Sequence, residues 1–205
     1  MAAATKTPIL YYFDLGSKGR GEVVRVFLRE LGIDFEDKRY AYDETWQPLG
    51  KEFQQKGLSL TGKLPVLDID GHILSQHIPI LRYLSRSVGG YDGTSNYDKW
   101  LVDAVSDIYV DWREKWVANL SGKAPNYKSE TVPYFYSIWD KLYSRNAGPY
   151  LLGNQVTYVD FAVFQALDND EAVGAAPASV PETLKALRKA VSERPNIKEY
   201  IAARA

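Results

Sequence analysis

Apolar and polar residues follow two rhythms along the chain, short up to about residue 86 and helical beyond it. Ile9-Leu10-Tyr11-Tyr12-Phe13 is a compact β-branched and aromatic run that predicts a buried strand. The polar and glycine-rich stretch Asp14-Leu15-Gly16-Ser17-Lys18-Gly19 predicts the loop after it. Val24, Phe27, Leu28 and Leu31 then recur at i, i+3, i+4 and i+7, the spacing of a helix with one buried face. Gly32 predicts a left-handed stop. A second strand is expected from Phe35 to Tyr40. Pro65 to Ile69, the turn dipeptide Asp70-Gly71 and His72-Ile73-Leu74 read as a β-hairpin. A helix is expected to begin near Gln76, with Pro79 tolerated in its first turn and Ile78, Leu81 and Leu84 facing inward.

Val88 to Asn96 holds three glycines among Asp, Thr and Ser and reads as an interdomain linker. Past it the periodicity is helical. Leu101, Val105, Ile108, Trp112 and Trp116 mark one face of a long helix, and Tyr134, Ile138 and Leu142 mark a second. Phe161, Phe164 and Leu167 belong to a third helix, Leu184, Leu187 and Val191 to a fourth, and Ile197 to Arg204 to a short closing one. The pattern predicts an α/β domain over residues 1–87, a linker over 88–96 and an all-helical domain over 97–205. No internal repeat is present.

The composition narrows the chemistry. The 205 residues carry 25 basic and 26 acidic side chains, and a net charge of −1 gives no field to hold a nucleic-acid backbone. No apolar run is long enough to span a bilayer, and Met1 to Pro8 lack the apolar core of a signal peptide. The absence of cysteine excludes a disulfide framework, a thiolate metal cage, a redox Cys-x-x-Cys pair and a thiol nucleophile. Two histidines leave little room for a histidine metal centre, so no metal is expected. Any sulfur chemistry must therefore use sulfur that arrives with a ligand. Asp103, Asp107 and Asp111 form a stripe at i, i+4 and i+8, which without an Asp-Asp-x-x-Asp companion reads as a solvated face.

Four segments in order resemble the cytosolic glutathione transferases, and the resemblance covers almost the full length. They are Tyr12-Phe13-Asp14 with Arg20-Gly21-Glu22-Val23-Val24-Arg25; Lys63-Leu64-Pro65-Val66-Leu67; Ser75-Gln76-His77-Ile78 with Ile80-Leu81-Arg82-Tyr83-Leu84; and Gly153, Thr157 and Asp160. Val102-Asp103-Ala104-Val105 and Leu184-Lys185-Ala186-Leu187 are similar to the sigma class within the tyrosine-type members. The resemblance implies a thioredoxin-like βαβαββα domain followed by an all-helical domain that completes a cleft for a small hydrophobic electrophile. It also implies glutathione as co-substrate or recycled cofactor, a homodimer and a cytoplasmic location. Thr157 and Asp160 fit a helix capping box on physical grounds alone, which gives them a folding role.

Tyr12, at the C-terminal end of the first strand, is the expected donor to the glutathione sulfur. The loop from Tyr12 to Arg20 is two residues longer than the family's usual tyrosine-type loop. Ser17 in it is the alternative donor, or else a turn former. The resemblance gives Arg20 a supporting role at the tyrosine hydroxyl. It makes Pro65 cis and pairs the Leu64 backbone with the cysteinyl part of glutathione, next to Lys63. Gln76 and His77 stand where the family has Gln or Glu followed by Ser, at a helix start that suits the γ-glutamyl carboxylate. His77 is a departure, bulkier than serine and titrating near neutrality. Trp46 and Lys51 resemble the pair that contacts the glycine carboxylate, one residue further apart than usual, with Lys56 as a fallback and His72 as plain surface. Asp103 is expected to reach across the dimer to the γ-glutamyl amine of a ligand bound in the partner. Tyr109, Trp112, Arg113 and Trp116 are expected either in the helical core or on the electrophile pocket.

The leading expectation is a transferase that activates the glutathione thiol and adds it to an apolar electrophile. The alternatives are a glutathione-dependent isomerase, in which the thiol adds and leaves, and a non-catalytic binding protein on the same fold. A serine hydrolase lacks its Gly-x-Ser-x-Gly elbow here.

Overall fold

The sheet grows outward from Ile9–Phe13, strand β1, whose five residues are all buried. In this computed structural model, which describes residues 6–204, α1 (Arg20–Glu30), β2 (Glu36–Tyr40), α2 (Trp46–Gln55), β3 (Val66–Ile69), β4 (His72–Ser75) and α3 (His77–Val88) follow. Most of the segment read as leaderless, residues 1–5, lies outside the described residues. The four strands take the order β2-β1-β3-β4, with β1 and β2 parallel and the other neighbours antiparallel. This is the thioredoxin-like βαβαββα order that the resemblance implied. A central strand flanked on both faces must be apolar throughout, which Ile9 to Phe13 is; β2, Glu36-Asp37-Lys38-Arg39-Tyr40, is the polar edge. Val23, Val24, Phe27 and Leu28 of α1 and Ile78, Ile80, Leu81 and Leu84 of α3 are buried, each fully buried side chain contributing about 1.5–3 kcal/mol.

Packing divides the chain at Val88/Gly89 and again at Pro195, so the first unit regains the C-terminal segment. The sequence placed that segment with the helical domain. Its helix, α8 (Lys198–Ala203), packs on α1: Tyr200 donates to Glu22 and Asn196 Nδ2 donates to the Glu30 carbonyl at 2.8 Å. A buried carboxylate on α1 recruits the donors, and periodicity carries no such information.

The second unit, Gly89–Arg194, contains α4 (Asn96–Leu120), a π-helical turn (Tyr127–Thr131), α5 (Val132–Tyr143), α6 (Tyr158–Ala172) and α7 (Glu182–Ser192). Capping boxes start two of them. In α6 Thr157 and Asp160 exchange the bonds read from the sequence, and in α4 Ser95 and Asp98 do the same. The face of α5 differs from the expected one. Leu142 is buried as expected and Ile138 partly so, but the rest of the buried stripe includes Phe135, Tyr136, Trp139 and Tyr143, whereas Tyr134 is 62% exposed. Apolar residues nearly surround this helix, so packing rather than spacing selects the buried stripe.

Candidate functional site

Strand register assembles the site. Tyr11 faces Val66, and Val66 faces Ser75, so one further step along both ladders brings Tyr12, Pro65 and Gln76 side by side at one edge of the sheet. The Leu64–Pro65 bond is cis and both residues are buried. Gln76 is exposed and holds φ 71°, a left-handed conformation that a side chain adopts only where its surroundings require it. It immediately precedes α3, whose N-terminal amides point their positive end toward the same edge.

Tyr12 is 5% exposed, and its position is tightly determined. Its hydroxyl accepts the backbone N–H of Arg20, the first residue of α1, at 2.7 Å. A phenol oxygen that accepts such a bond still carries its own proton to donate. Two glycines make this approach possible. A Cβ at Gly19, which adopts φ 80°, would lie 2.5 Å from the Tyr12 hydroxyl, and one at Gly21 would lie 2.1 Å from the ring. The Arg25 guanidinium carbon lies 5.7 Å from the centroid of the same ring. Arg20 thus meets the hydroxyl through its backbone. Ser17, partly exposed, sits in a turn closed by the Lys18 N–H on the Leu15 carbonyl at 3.2 Å. The Gly-x-Gly flanking Arg20 was visible in the sequence; the ring that demands it was not.

Trp46, Lys51 and Lys63 line one cavity of about 350 Å³ together with Gly50 and Gly62. Trp46 is fixed edge-on against Phe13 at 5.1 Å and Tyr40 at 5.4 Å, which ties the start of α2 to the end of β1. Both lysines are exposed. Lys56 does not line this cavity and pairs with Glu52 one turn back.

Two family models match the chain, the glutathione S-transferase N-terminal domain over residues 8–86 and the glutathione S-transferase C-terminal domain over residues 110–204. The chain belongs to the glutathione S-transferase family. It is 31% identical over 202 residues to a Caenorhabditis elegans protein named glutathione S-transferase P 10, covering 96% of this chain and 91% of the relative. A Plasmodium falciparum glutathione S-transferase is 30% identical over 207 residues, covering 96% and 95% respectively. A solved C. elegans glutathione S-transferase superposes with a TM-score of 0.82 at 30% identity, covering 97% of this chain and 98% of that one. The chain is therefore a glutathione-dependent transferase, and glutathione is its co-substrate.

The residues of this transferase suit that tripeptide. Its thiol needs a hydroxyl donor near a helix start, its peptide backbone an extended edge, and its two carboxylates cations or amides. Tyr12, the Leu64-Pro65 edge, the α3 start and the lysine-lined cavity supply these kinds of group. His77 departs from expectation in orientation: the residue is 4% exposed and both ring nitrogens are shielded from solvent. Its backbone N–H stands at the first residue of α3. In the second unit Asp103 is half-buried and accepts the Tyr158 hydroxyl at 2.7 Å. Tyr109, Trp112, Arg113 and Trp116 are buried and bonded to α6. Arg113 donates to Gln165 at 2.9 Å and Asn169 at 3.0 Å, Trp112 to Asp170 at 3.3 Å, and Trp116 to the Asn169 carbonyl at 3.3 Å. These polar partners hold all four side chains in the core of the second unit. Among the described residues no three His, Asp or Glu side chains gather as a metal site, and no helix is long and apolar enough to cross a membrane.

Proposed function

We propose that the Tyr12 hydroxyl holds the glutathione thiol as a thiolate, which attacks a small hydrophobic electrophile. The bond of the Arg20 N–H to the Tyr12 oxygen carries this reading, because it fixes the hydroxyl at the positive end of α1. At a pKa of ~8.5 only about 3% of a free thiol is ionised at pH 7. Lowering that pKa by about 2 units requires the thiolate to gain roughly 2.7 kcal/mol over the thiol. A charge-assisted hydrogen bond from a poorly solvated phenol is of this order. The thiol proton leaves to solvent, the sulfur lone pair forms the new carbon–sulfur bond, and the electrophile's displaced electron pair departs with its leaving group or takes up a proton.

In this reading the Leu64 backbone grips the cysteinyl unit. Gln76 and the backbone of His77 at the α3 start take the γ-glutamyl carboxylate, and Lys51 and Lys63 beside Trp46 take the glycine carboxylate. No metal enters any step. Asp103 belongs to the same reading through a twofold homodimer, where it meets the γ-glutamyl amine in the partner; the Tyr158 hydroxyl on its Oδ1 supports a fixed orientation for that carboxylate. A cytoplasmic location completes it.

Ultraviolet titration of the bound thiolate tests the assignment. Tyr12→Phe is expected to raise the thiol pKa by about 2 units and, through the smaller thiolate fraction, to lower kcat at neutral pH about 25-fold. Ser17→Ala is expected to leave both unchanged. The reverse pattern transfers the role to Ser17, and a wild type that binds no glutathione removes the enzymatic reading. Product analysis separates transfer from isomerisation: a product that retains glutathione is the expected outcome.

A further inference from the structure

An alternating chain of charges runs through the first unit from beside Tyr12 to the C-terminal segment. Asp14, two residues beyond Tyr12, accepts from Arg39 at 3.1 Å, and Arg39 is the register partner of Tyr12 on β2. Asp37 accepts from Arg39 at 2.8 Å and from Arg25 at 2.9 Å. Arg25 in turn meets Glu22 at 3.4 Å, and Arg25 and Glu22 are both wholly buried. Glu22 also accepts from Tyr200 at 3.0 and 3.1 Å and from Arg204 at 3.0 Å. Tyr200 is itself held under the Arg29 guanidinium, whose carbon lies 4.3 Å from its ring centroid.

Such a network is more than packing, because its central cation stands over the ring already assigned to the chemistry. A guanidinium on the face of a phenol favours the phenolate-like distribution of charge and so strengthens the O–H as a donor. Burial strengthens the effect, and Nη2 of Arg25 is buried with no hydrogen-bond acceptor among the described residues. Where Arg25 sits depends on the two carboxylates that compete for it, Glu22 on one side and Asp37 on the other.

We infer that the C-terminal segment is a positioning element for the catalytic tyrosine, with Tyr200 and Arg204 neutralising Glu22 so that Arg25 stays over the Tyr12 ring. The inference rests on Tyr12 as the thiol's donor. Burial and the Glu22 charge push the Tyr200 phenol up to about 12, so it remains a proton donor throughout the neutral range. Without its two outer donors, Glu22 draws Arg25 more strongly and adds negative potential at the ring, and both changes weaken the Tyr12 O–H as a donor to sulfur.

The full-length Tyr200→Phe/Arg204→Gln variant tests this, with glutathione itself as the probe. The bound thiol's pKa is expected to rise by about 0.5 unit, and kcat to fall about threefold at pH below about 6 and about 1.5-fold at pH 7, with the KM for glutathione unchanged. A lowered Tm with a wild-type thiol pKa overturns the inference and leaves a structural tail. Should the double variant not fold, Tyr200→Phe alone removes one hydroxyl and is expected to shift the pKa in the same direction; no shift overturns the inference. Tyr12→Phe measured alongside separates the two readings. If it leaves the thiol pKa at the wild-type value, the tyrosine assignment itself fails; if it raises the pKa while the tail variants do not, only the positioning role is lost.

Discussion

The two units bury carboxylates by different means. In the first, the buried Glu22 and the partly buried Asp37 are met by arginines: Arg25 and Arg204 on one, Arg25 and Arg39 on the other. In the second, Asp160 and Asp170 are met chiefly by neutral donors. Asp160 accepts from the Thr157 and Leu151 backbone N–H groups at 2.7 and 3.0 Å, from the Thr157 hydroxyl at 2.9 Å and from the Tyr143 hydroxyl at 2.8 Å. Asp170 accepts from Tyr127 at 2.5 Å and Trp112 at 3.3 Å. Neutral donors do not repay the full cost of taking a charge out of water. Burial accordingly raises Asp160 to about 6 and Asp170 to about 7, although the surrounding hydrogen bonds pull the other way. Paired charges suit the unit whose chemistry works on a charged ligand. Neutral networks suit a unit that joins helices.

The contrast breaks most visibly at Asp160. It closes the α6 capping box and also ties Leu151 and Tyr143 to the same carboxylate, so Asp160→Ala strands several buried donors at once. We expect a loss of about 3 kcal/mol, read by denaturant unfolding. Asp160→Asn, which keeps an acceptor while removing the charge, is expected to lose less. An equal loss in the two variants would show that the charge matters, in contradiction to the neutral-donor picture.

Asp170 sharpens the comparison through pH. Its folded pKa of about 7 stands above the ordinary carboxylate value, so the folded state holds the proton more tightly than the unfolded one. Its contribution is therefore fully favourable below about pH 4 and is lost as pH rises through about 7, at up to about 1.4 kcal/mol per pH unit. Unfolding free energies measured from pH 4 to 9 should decline at up to this slope between about pH 4 and 7, and level off above, in the wild type relative to Asp170→Asn. Parallel curves for the two proteins would remove Asp170 as the titrating group.

Legibility in the sequence follows the same division. Local features were readable: β1 from its unbroken apolar run, the hairpin from Asp70-Gly71, the α6 box from Thr157 and Asp160. Ser95 and Asp98 have the same Ser-x-x-Asp form, yet their surroundings of glycine and small polar residues read as linker. The stripe Tyr109, Trp112, Arg113 and Trp116 was correctly seen as one face of a helix. Its inward direction was set by Gln165, Asn169 and Asp170, more than fifty residues away. The closing helix was readable, but its docking on α1 escaped for the same reason, since Glu22 meets Tyr200 and Arg204 at separations of 178 and 182 residues. Tyr12, Pro65 and Gln76 were named from motifs, but only strand register explains why three distant segments share one edge.

The smallest expected effect concerns charges left open to solvent. Lys51 and Lys56 are exposed and lie on or just beyond α2, so composition and burial do not tell them apart. Their surroundings do. Lys51 lines the cavity beside Trp46 and has no ion-pair partner among the described residues, whereas Lys56 is occupied by Glu52. An exposed lysine pair of the second kind is worth 0–1 kcal/mol and offers a ligand little net charge. Lys51→Ala is therefore expected to raise the KM for glutathione about fivefold with kcat unchanged, the signature of lost uniform binding, corresponding to roughly 1 kcal/mol. Lys56→Ala should leave both constants alone. Equal effects would mean that the glycine carboxylate responds to the general charge of α2, and the first unit's ligand site would then lack the residue-by-residue pairing that distinguishes its interior.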